Sequence, residues 1–365
     1  MREKRKVFRG ALLGLAVGDA MGNAVDRKSL EAICADYGPN GLMGYDLANG
    51  YAEVSSYTQL AAYTANGLIM ALARSQAYGR STSLIHYVGI ALREWSRTQH
   101  YCPQEKNYCW LTTVPELKRR HCMDTRMLDA LTRETLGSPQ NPVYRNDLPS
   151  ALTEVVPAAL LGSIIDIEPD AIDLLGAEMV ALTHGHTETF LSAAALTHAL
   201  SVLLEAPDIG VNALIESVVD SVTLQFGPEF GHMGHIWELL QMAQTLAASE
   251  TVTPMEAMEQ LRCRTAAEVL AGVLYACLTC RGDFDTAMIT AVNHSGRSAA
   301  VGAITGAVLG IRFGEDILPE FYLESLEPVQ LLQQLADDLA QSSALDQMNR
   351  LFDDDWDRKY LRAGI

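Results

Sequence analysis

Positive charge is in short supply in this sequence: 27 Lys and Arg stand against 45 Asp and Glu, a formal net charge of −18 over 365 residues. A surface of that sign repels a phosphate backbone, which argues against nucleic acid as a partner. Cysteines suited to pairing are also lacking. The seven present (Cys34, Cys102, Cys109, Cys122, Cys263, Cys277, Cys280) are odd in number and irregular in spacing, so reduced thiols and a cytoplasmic location are expected. Cys277-x-x-Cys280 has no second pair to complete a zinc site and falls inside a helical pattern, which reads as packed or surface thiols. No apolar run reaches the ~18 residues that a membrane span requires. The basic start followed by Ala11–Val17 imitates a secretory signal, but Gly18-Asp19 interrupts it early and the segment reads as mature structure. Strand-like alternation is nearly absent, as are internal repeats and low-complexity linkers.

What is present is helical periodicity. With 48% hydrophobic and 20% charged residues the chain has the make-up of a globular protein with room for a large core. Apolar spacing predicts helices over Val7–Gly22, Thr58–Ala77, Leu84–Trp95, Pro115–Arg120, Asp124–Leu136, Leu152–Ile165, Asp170–Leu182, Glu188–Leu204, Val211–Gln225 and His232–Ala248. Further helices are predicted over Pro254–Cys280 with a break near Arg264, Asp285–Val292, the segment reaching Gly314, Pro328–Gln341 and Asp346–Lys359. The expectation is an all-α fold, a single compact bundle of about fifteen helices forming one domain over 1–365.

Two of these helices carry glycines four apart: Gly10, Gly14, Gly18 and Gly22 in the first, and Gly302, Gly306, Gly310 and Gly314 in the late one. Residues four apart share a face, so each helix presents a stripe without side chains. Packing of one stripe on the other is predicted; packing of each on a different neighbour is the alternative. The late helix follows a polar turn, Ala291-Val292-Asn293-His294-Ser295-Gly296-Arg297-Ser298-Ala299-Ala300, a suitable place for a buried site.

In order along the chain, Gly10–Gly22 with Asp26, Ser55-Ser56-Tyr57-Thr58-Gln59, Leu182-Thr183-His184-Gly185-His186, and Ala291–Gly314 with Pro319 resemble the ADP-ribosylglycohydrolase family. The resemblance spans nearly the whole chain. It implies an all-helical hydrolase that cleaves a glycosidic bond at ribose with two divalent ions, magnesium or manganese, held by hard oxygen ligands. Family members supply a hydroxyl and two aspartates from an early cluster, and two aspartates and a hydroxyl from a late one. Here the early positions carry Ser55, Ser56 and Tyr57, and the late ones Arg297, Ala299 and Ala300. Only the Ser55 hydroxyl matches. An arginine beside a divalent ion is repelled by on the order of several kcal/mol even at an effective dielectric of about 20. No metal site is expected, and no cofactor.

Glu154 stands where the family usually has an arginine, three residues before Pro157. An ion pair of Arg297 with Glu154, Asp19 or Asp26 would refill the site; an Arg297 pointing to solvent in the cleft is the alternative. Ligand-cleft candidates are Ser55, Ser56, Tyr57, Thr58, Ser295, Gly296, Arg297, Ser298, Ala299 and Ala300, and catalytic candidates Asp19, Asp26, Glu154 and Arg297. The pairs His184/His186 and His232/His235 lack a third ligand, and His184 reads as structural. Tyr57, Tyr63, Tyr101 and Trp110 are candidates for stacking on adenine or for core packing. Three functions follow: a catalytically degenerate homologue binding ADP-ribose-like ligands or a protein partner, a metal-independent hydrolase using two carboxyl groups, or a structural subunit without ligand.

Overall fold

The structure, a computed structural model, describes residues 4–47, 49–100, 107–122, 124–231, 233–280, 282–343 and 353–362. Among these residues the only β pairing is an isolated bridge between Ala52 and Leu326. The fold is all-α, as the spacing of apolar residues predicts.

Two helices form its centre. α1 (Lys4–Asn23) and α14 (Ser298–Phe313) run antiparallel with their glycine stripes in register. Gly10 meets Gly310, Gly14 meets Gly306, Gly18 meets Gly302, and Gly22 meets Ser298. A Cβ on Gly10 would stand 2.6 Å from the Gly310 carbonyl oxygen, and the other pairs are closer still. Each glycine costs the helix about 1 kcal/mol of propensity against alanine. Close backbone packing along four turns offsets that cost, because contact atoms fill what would otherwise be a gap.

Around this pair stand α3 (Ser56–Tyr78), α6 (Val155–Gly162), α8 (Thr187–Glu205), α12 (Ala266–Thr279), α13 (Phe284–Val292) and α16 (Val329–Ala340). An outer set comprises α2 (Leu30–Tyr37), α4 (Leu84–Gln99), α5 (Thr125–Thr132), α7 (Pro169–Ala181), α9 (Val211–Phe230), α10 (Gly234–Ala247), α11 (Pro254–Leu261) and α15 (Glu320–Ser325). Buried side chains form one connected cluster running from Val7 to Tyr360. α8 is long and apolar enough to cross a membrane by length and composition, although the polar residues Thr197 and His198 break its apolar run; 67% of the window is buried inside the protein.

The break predicted near Arg264 is present between α11 and α12, where Arg262 and Cys263 adopt left-handed backbone, φ 62° and 51°, before Thr265 caps α12 with Glu268 in a reciprocal box. Several boundaries differ from the predicted ones for local reasons. Asp124 is the cap of α5, not its first residue. Leu152–Glu154 is a 3-10 turn ahead of α6. The short helix α2, capped by Ser29, was not predicted; it buries only Ile33 and so shows little periodicity. Of the final predicted helix, 346–352 lie outside the described residues; Asp354–Trp356 continues into a π turn, Asp357–Leu361.

Candidate active-site cleft

The glycine seam decides where the polar segments meet. With Gly22 against Ser298, the last turn of α1 lies beside the first turn of α14, and α3 begins at the same place. Helix N-termini expose unpaired N–H groups and a partial positive charge. Here each of the two is met by a carboxylate from α1 or the turn behind it.

Asp19 serves α3. One oxygen accepts from the Ser55 hydroxyl at 2.5 Å; the other accepts from the Ser55 N–H at 2.8 Å, the Thr58 N–H at 3.0 Å and the Thr58 hydroxyl at 2.6 Å. Complete burial pushes its pKa up to about 6, against these hydrogen bonds, which favour the charged form. The Ser55 oxygen also accepts from the Tyr57 N–H at 3.2 Å. The one hydroxyl that matches the family's early cluster is therefore already engaged on both sides.

Asp26 serves α14. It accepts from the Ala299 N–H at 3.3 Å and pairs with the Arg27 guanidinium at 3.0 Å. Burial raises its pKa, while the Ala299 amide and the charges of Arg27 and Arg297 act in the opposite sense. No hydrogen bond or ion pair within 4 Å joins Arg297 to Asp19, Asp26 or Glu154 among the described residues. The predicted refilling pair thus does not form. Glu154 lies in the 3-10 turn, fully buried, with neither oxygen hydrogen-bonded, and burial alone drives its pKa well above the usual range.

A cleft of about 560 Å³ opens over the junction. Asp26, Arg27, Ser55, Ser56, Tyr57, Arg297 and Ala299 line one side, and His121, Cys122, Asp124, Pro149 and Ser150 contribute from the 107–150 region. An adjoining recess of about 580 Å³ is lined by Arg27, Asp147, Leu148, Arg264, Thr265, Ser295, Gly296 and Arg297. Three arginines gathered at one recess contrast with a chain of net charge −18.

Asp124 was not among the predicted site residues. Its Oδ1 accepts from the N–H groups of Arg126 and Met127 at 3.1 Å each. Its Oδ2 accepts from Asn146 at 2.8 Å and Ser150 at 2.6 Å and meets His184 Nε2 at 3.0 Å. Burial opposes the charge, but His184, Ser150 and the Met127 amide outweigh it and hold the carboxyl well below the usual range. Ser150, His184 and Asp124 look like a nucleophile relay, yet Ser150 and Asp124 both meet the same ring nitrogen, and Nδ1 faces Thr183 at 2.8 Å. A relay needs opposite nitrogens. The network instead ties the start of α5 to the 183–186 turn, the structural role expected of His184.

The polar turn before α14 is stitched to its neighbours. Asn293 clamps Leu42, accepting its N–H at 2.7 Å and donating to its carbonyl at 2.9 Å. His294 is held neutral by burial, which lowers its pKa to about 4, and accepts from the Gly296 N–H. Ser295 accepts from the Leu30 N–H, and its own N–H reaches Glu259. A Cβ on Gly296 would lie 2.6 Å from the Cys263 carbonyl oxygen, so the loop requires glycine there. The three non-glycine residues with positive φ among those described, Arg27, Arg262 and Cys263, all border this loop. Strain of that kind concentrates where the surrounding structure fixes a site.

Of the cleft candidates, Ser55, Ser56, Tyr57, Arg297 and Ala299 line the main cleft, and Ser295 and Gly296 the recess. Thr58 is turned onto Asp19, and Ser298 and Ala300 are buried in α14 and line neither. Among the catalytic candidates Asp26 and Arg297 line the cleft; Asp19 and Glu154 do not. Tyr57 is the one candidate aromatic at the cleft: Tyr63 is in the core, Trp110 lies under Lys359, and Tyr101, like His232, is outside the described residues. Among the described residues no three His, Cys, Asp or Glu side chains come together as a metal cluster would.

No curated protein matches the chain. Among solved structures it is similar to one described as "ADP-ribosylglycohydrolase-related protein complex", with 20% identity and a TM-score of 0.56 over 94% of this chain and 100% of that one, a likeness of fold. The family model for ADP-ribosylglycohydrolase matches residues 1–348. That span contains the glycine seam, both helix N-termini and every residue of the cleft: the chain belongs to the ADP-ribosylglycohydrolase family.

Proposed function

We propose that this chain is a ligand-binding member of its family that has no dinuclear metal centre and does not hydrolyse its ligand. The reading rests on the donor set at the two helix N-termini. Where the family pattern has a hydroxyl and two carboxylates, the start of α3 carries Ser55, Ser56 and Tyr57; where it has two carboxylates and a hydroxyl, the start of α14 carries Arg297, Ala299 and Ala300. The Ser55 hydroxyl is engaged by Asp19, the alanines have no donor atom, and Asp26 is tied to Arg27 and the Ala299 amide. Two divalent ions need several free anionic oxygens, and this donor set does not fit them.

A ligand of the ADP-ribose type suits the arginine recess. Guanidinium groups bind phosphate bidentately and keep their charge at any working pH. Arg297 joins the cleft to the recess, so a pyrophosphate beside Arg297, Arg264 and Arg27 would leave the sugar in the cleft. A metal-independent hydrolase needs two free carboxyl groups flanking the bond. Asp26 and Asp124 line the cleft, with pKa values pushed in opposite directions, which favours that second reading. Against it, the network around Asp124 occupies both of its oxygens.

Calorimetric titration with ADP-ribose in chelator tests the proposal. Saturable binding that weakens at least about tenfold in Arg297→Met and falls with added salt is the expected result, with no ADP-ribose released from a modified protein. Absence of binding would favour a structural subunit, and chelator-resistant release lost in Asp26→Asn would favour the hydrolase.

A further inference from the structure

A second cavity, remote from the cleft, is built from three apolar stripes. Leu196, Ala199 and Leu203 on α8 face Val211, Leu214, Ile215 and Val218 on α9, and Leu270, Val273, Leu274 and Cys277 on α12 close the third side. Each set follows the i, i+3, i+4, i+7 spacing of a helix face that ordinarily meets a packed neighbour. Here they line a partly open groove of about 870 Å³, a volume that takes in the adjoining solvent.

One lining residue is charged. Arg312, in the last turn of α14, lies four residues after Val308 on the side of that helix away from the glycine seam. Its Nε is buried without a hydrogen-bond partner, and no carboxylate lies within 4 Å of it among the described residues. Phe313 stacks beside the guanidinium, its ring centroid 5.3 Å away. The nearby Cys277 thiol is kept neutral by burial. In a chain with 45 acidic residues, a half-buried arginine without an acidic partner at the end of an apolar cavity is unmatched charge.

We propose that this cavity binds a long-chain carboxylate, its apolar chain between α8, α9 and α12 and its head group on Arg312. The complementarity is specific: an apolar body satisfies the three stripes, and an anion supplies the acceptor that Arg312 lacks. The site shares no residue with the cleft and does not depend on the function proposed for it.

Calorimetry with octanoate, decanoate and dodecanoate below their micelle concentrations, and with dodecan-1-ol, tests it on the intact chain. One carboxylate per chain is expected, with affinity rising about fourfold per methylene and dodecanoate binding at least about tenfold more tightly than the alcohol. Arg312→Met should remove the preference for the acid while leaving alcohol binding intact, and Ala199→Phe should block both. Equal affinity of acid and alcohol for the unaltered protein would overturn the proposal. So would acid binding insensitive to both substitutions, or a dimer that occupies the cavity and is undisturbed by dodecanoate. If Arg312→Met fails to fold, the comparison of acid with alcohol on the unaltered chain still decides.

Discussion

Glu154 carries the plainest conflict at the scale of single residues. A carboxyl group with both oxygens buried and unpartnered costs about 1 to 3 kcal/mol even when neutral, and burial keeps it protonated far above its ordinary range. The sign follows from linkage. Above pH ~4.5 the unfolded chain releases this proton and the folded chain retains it, so stability falls as pH rises until the folded pKa is passed. Glu154→Gln lacks that decline. Its advantage over the unaltered protein should be near zero at pH ~4.5 and grow by up to about 1.4 kcal/mol per pH unit above it. Denaturant unfolding at pH 5 and pH 8 measures it, and a difference independent of pH would contradict it. In the sequence, Glu154 and Arg297 invited pairing because both depart from the family pattern. The pairing was not legible because it depends on where the 3-10 turn aims Glu154. Asp124 was missed for a related reason: a cap residue is readable, but its reach to Asn146, Ser150 and His184 is tertiary.

Between elements, the α1–α14 seam is the feature that sequence showed best. Glycines every fourth residue on two helices leave two bare faces of matching length, and the register follows once the stripes are set antiparallel. The seam also makes a sharp prediction. Gly14→Ala inserts a methyl group against the Gly306 backbone, where nothing flexible can yield; a loss of about 3 kcal/mol or more is expected in thermal or denaturant unfolding. Gly234→Ala, at the exposed start of α10 with nothing within 4 Å, should change stability by less than about 0.5 kcal/mol. Comparable losses at both sites would mean that the seam is not specially tight. Helices with broad buried faces, such as α3 and α8, were predicted to within a few residues, whereas α2 and α15, which bury one side chain each, were not. Periodicity is a record of burial, and a helix with one buried residue leaves almost none.

Taken whole, the molecule has the all-α fold of its family, and the proposal made for it concerns the chemistry at its centre. On the proposed reading, Ser56, Tyr57, Arg297 and Ala299 stand where the family pattern has its four carboxylates, and the hydroxyl of Ser55 is engaged by Asp19. In a protein of net charge −18, the arginines gathered beside the cleft are what the proposed preference for an anionic ligand rests on. The fold was legible because family motifs and apolar spacing agree; the recess was not, since Arg27, Arg264 and Arg297 are separated in sequence and meet only through the strained turns at Arg27 and Arg262–Cys263. The most direct measurement of the central claim is calorimetric titration of magnesium and manganese into chelator-stripped protein saturated with ADP-ribose. No saturable uptake of either ion at micromolar concentration is predicted; two ions taken up per chain with micromolar affinity would contradict the account.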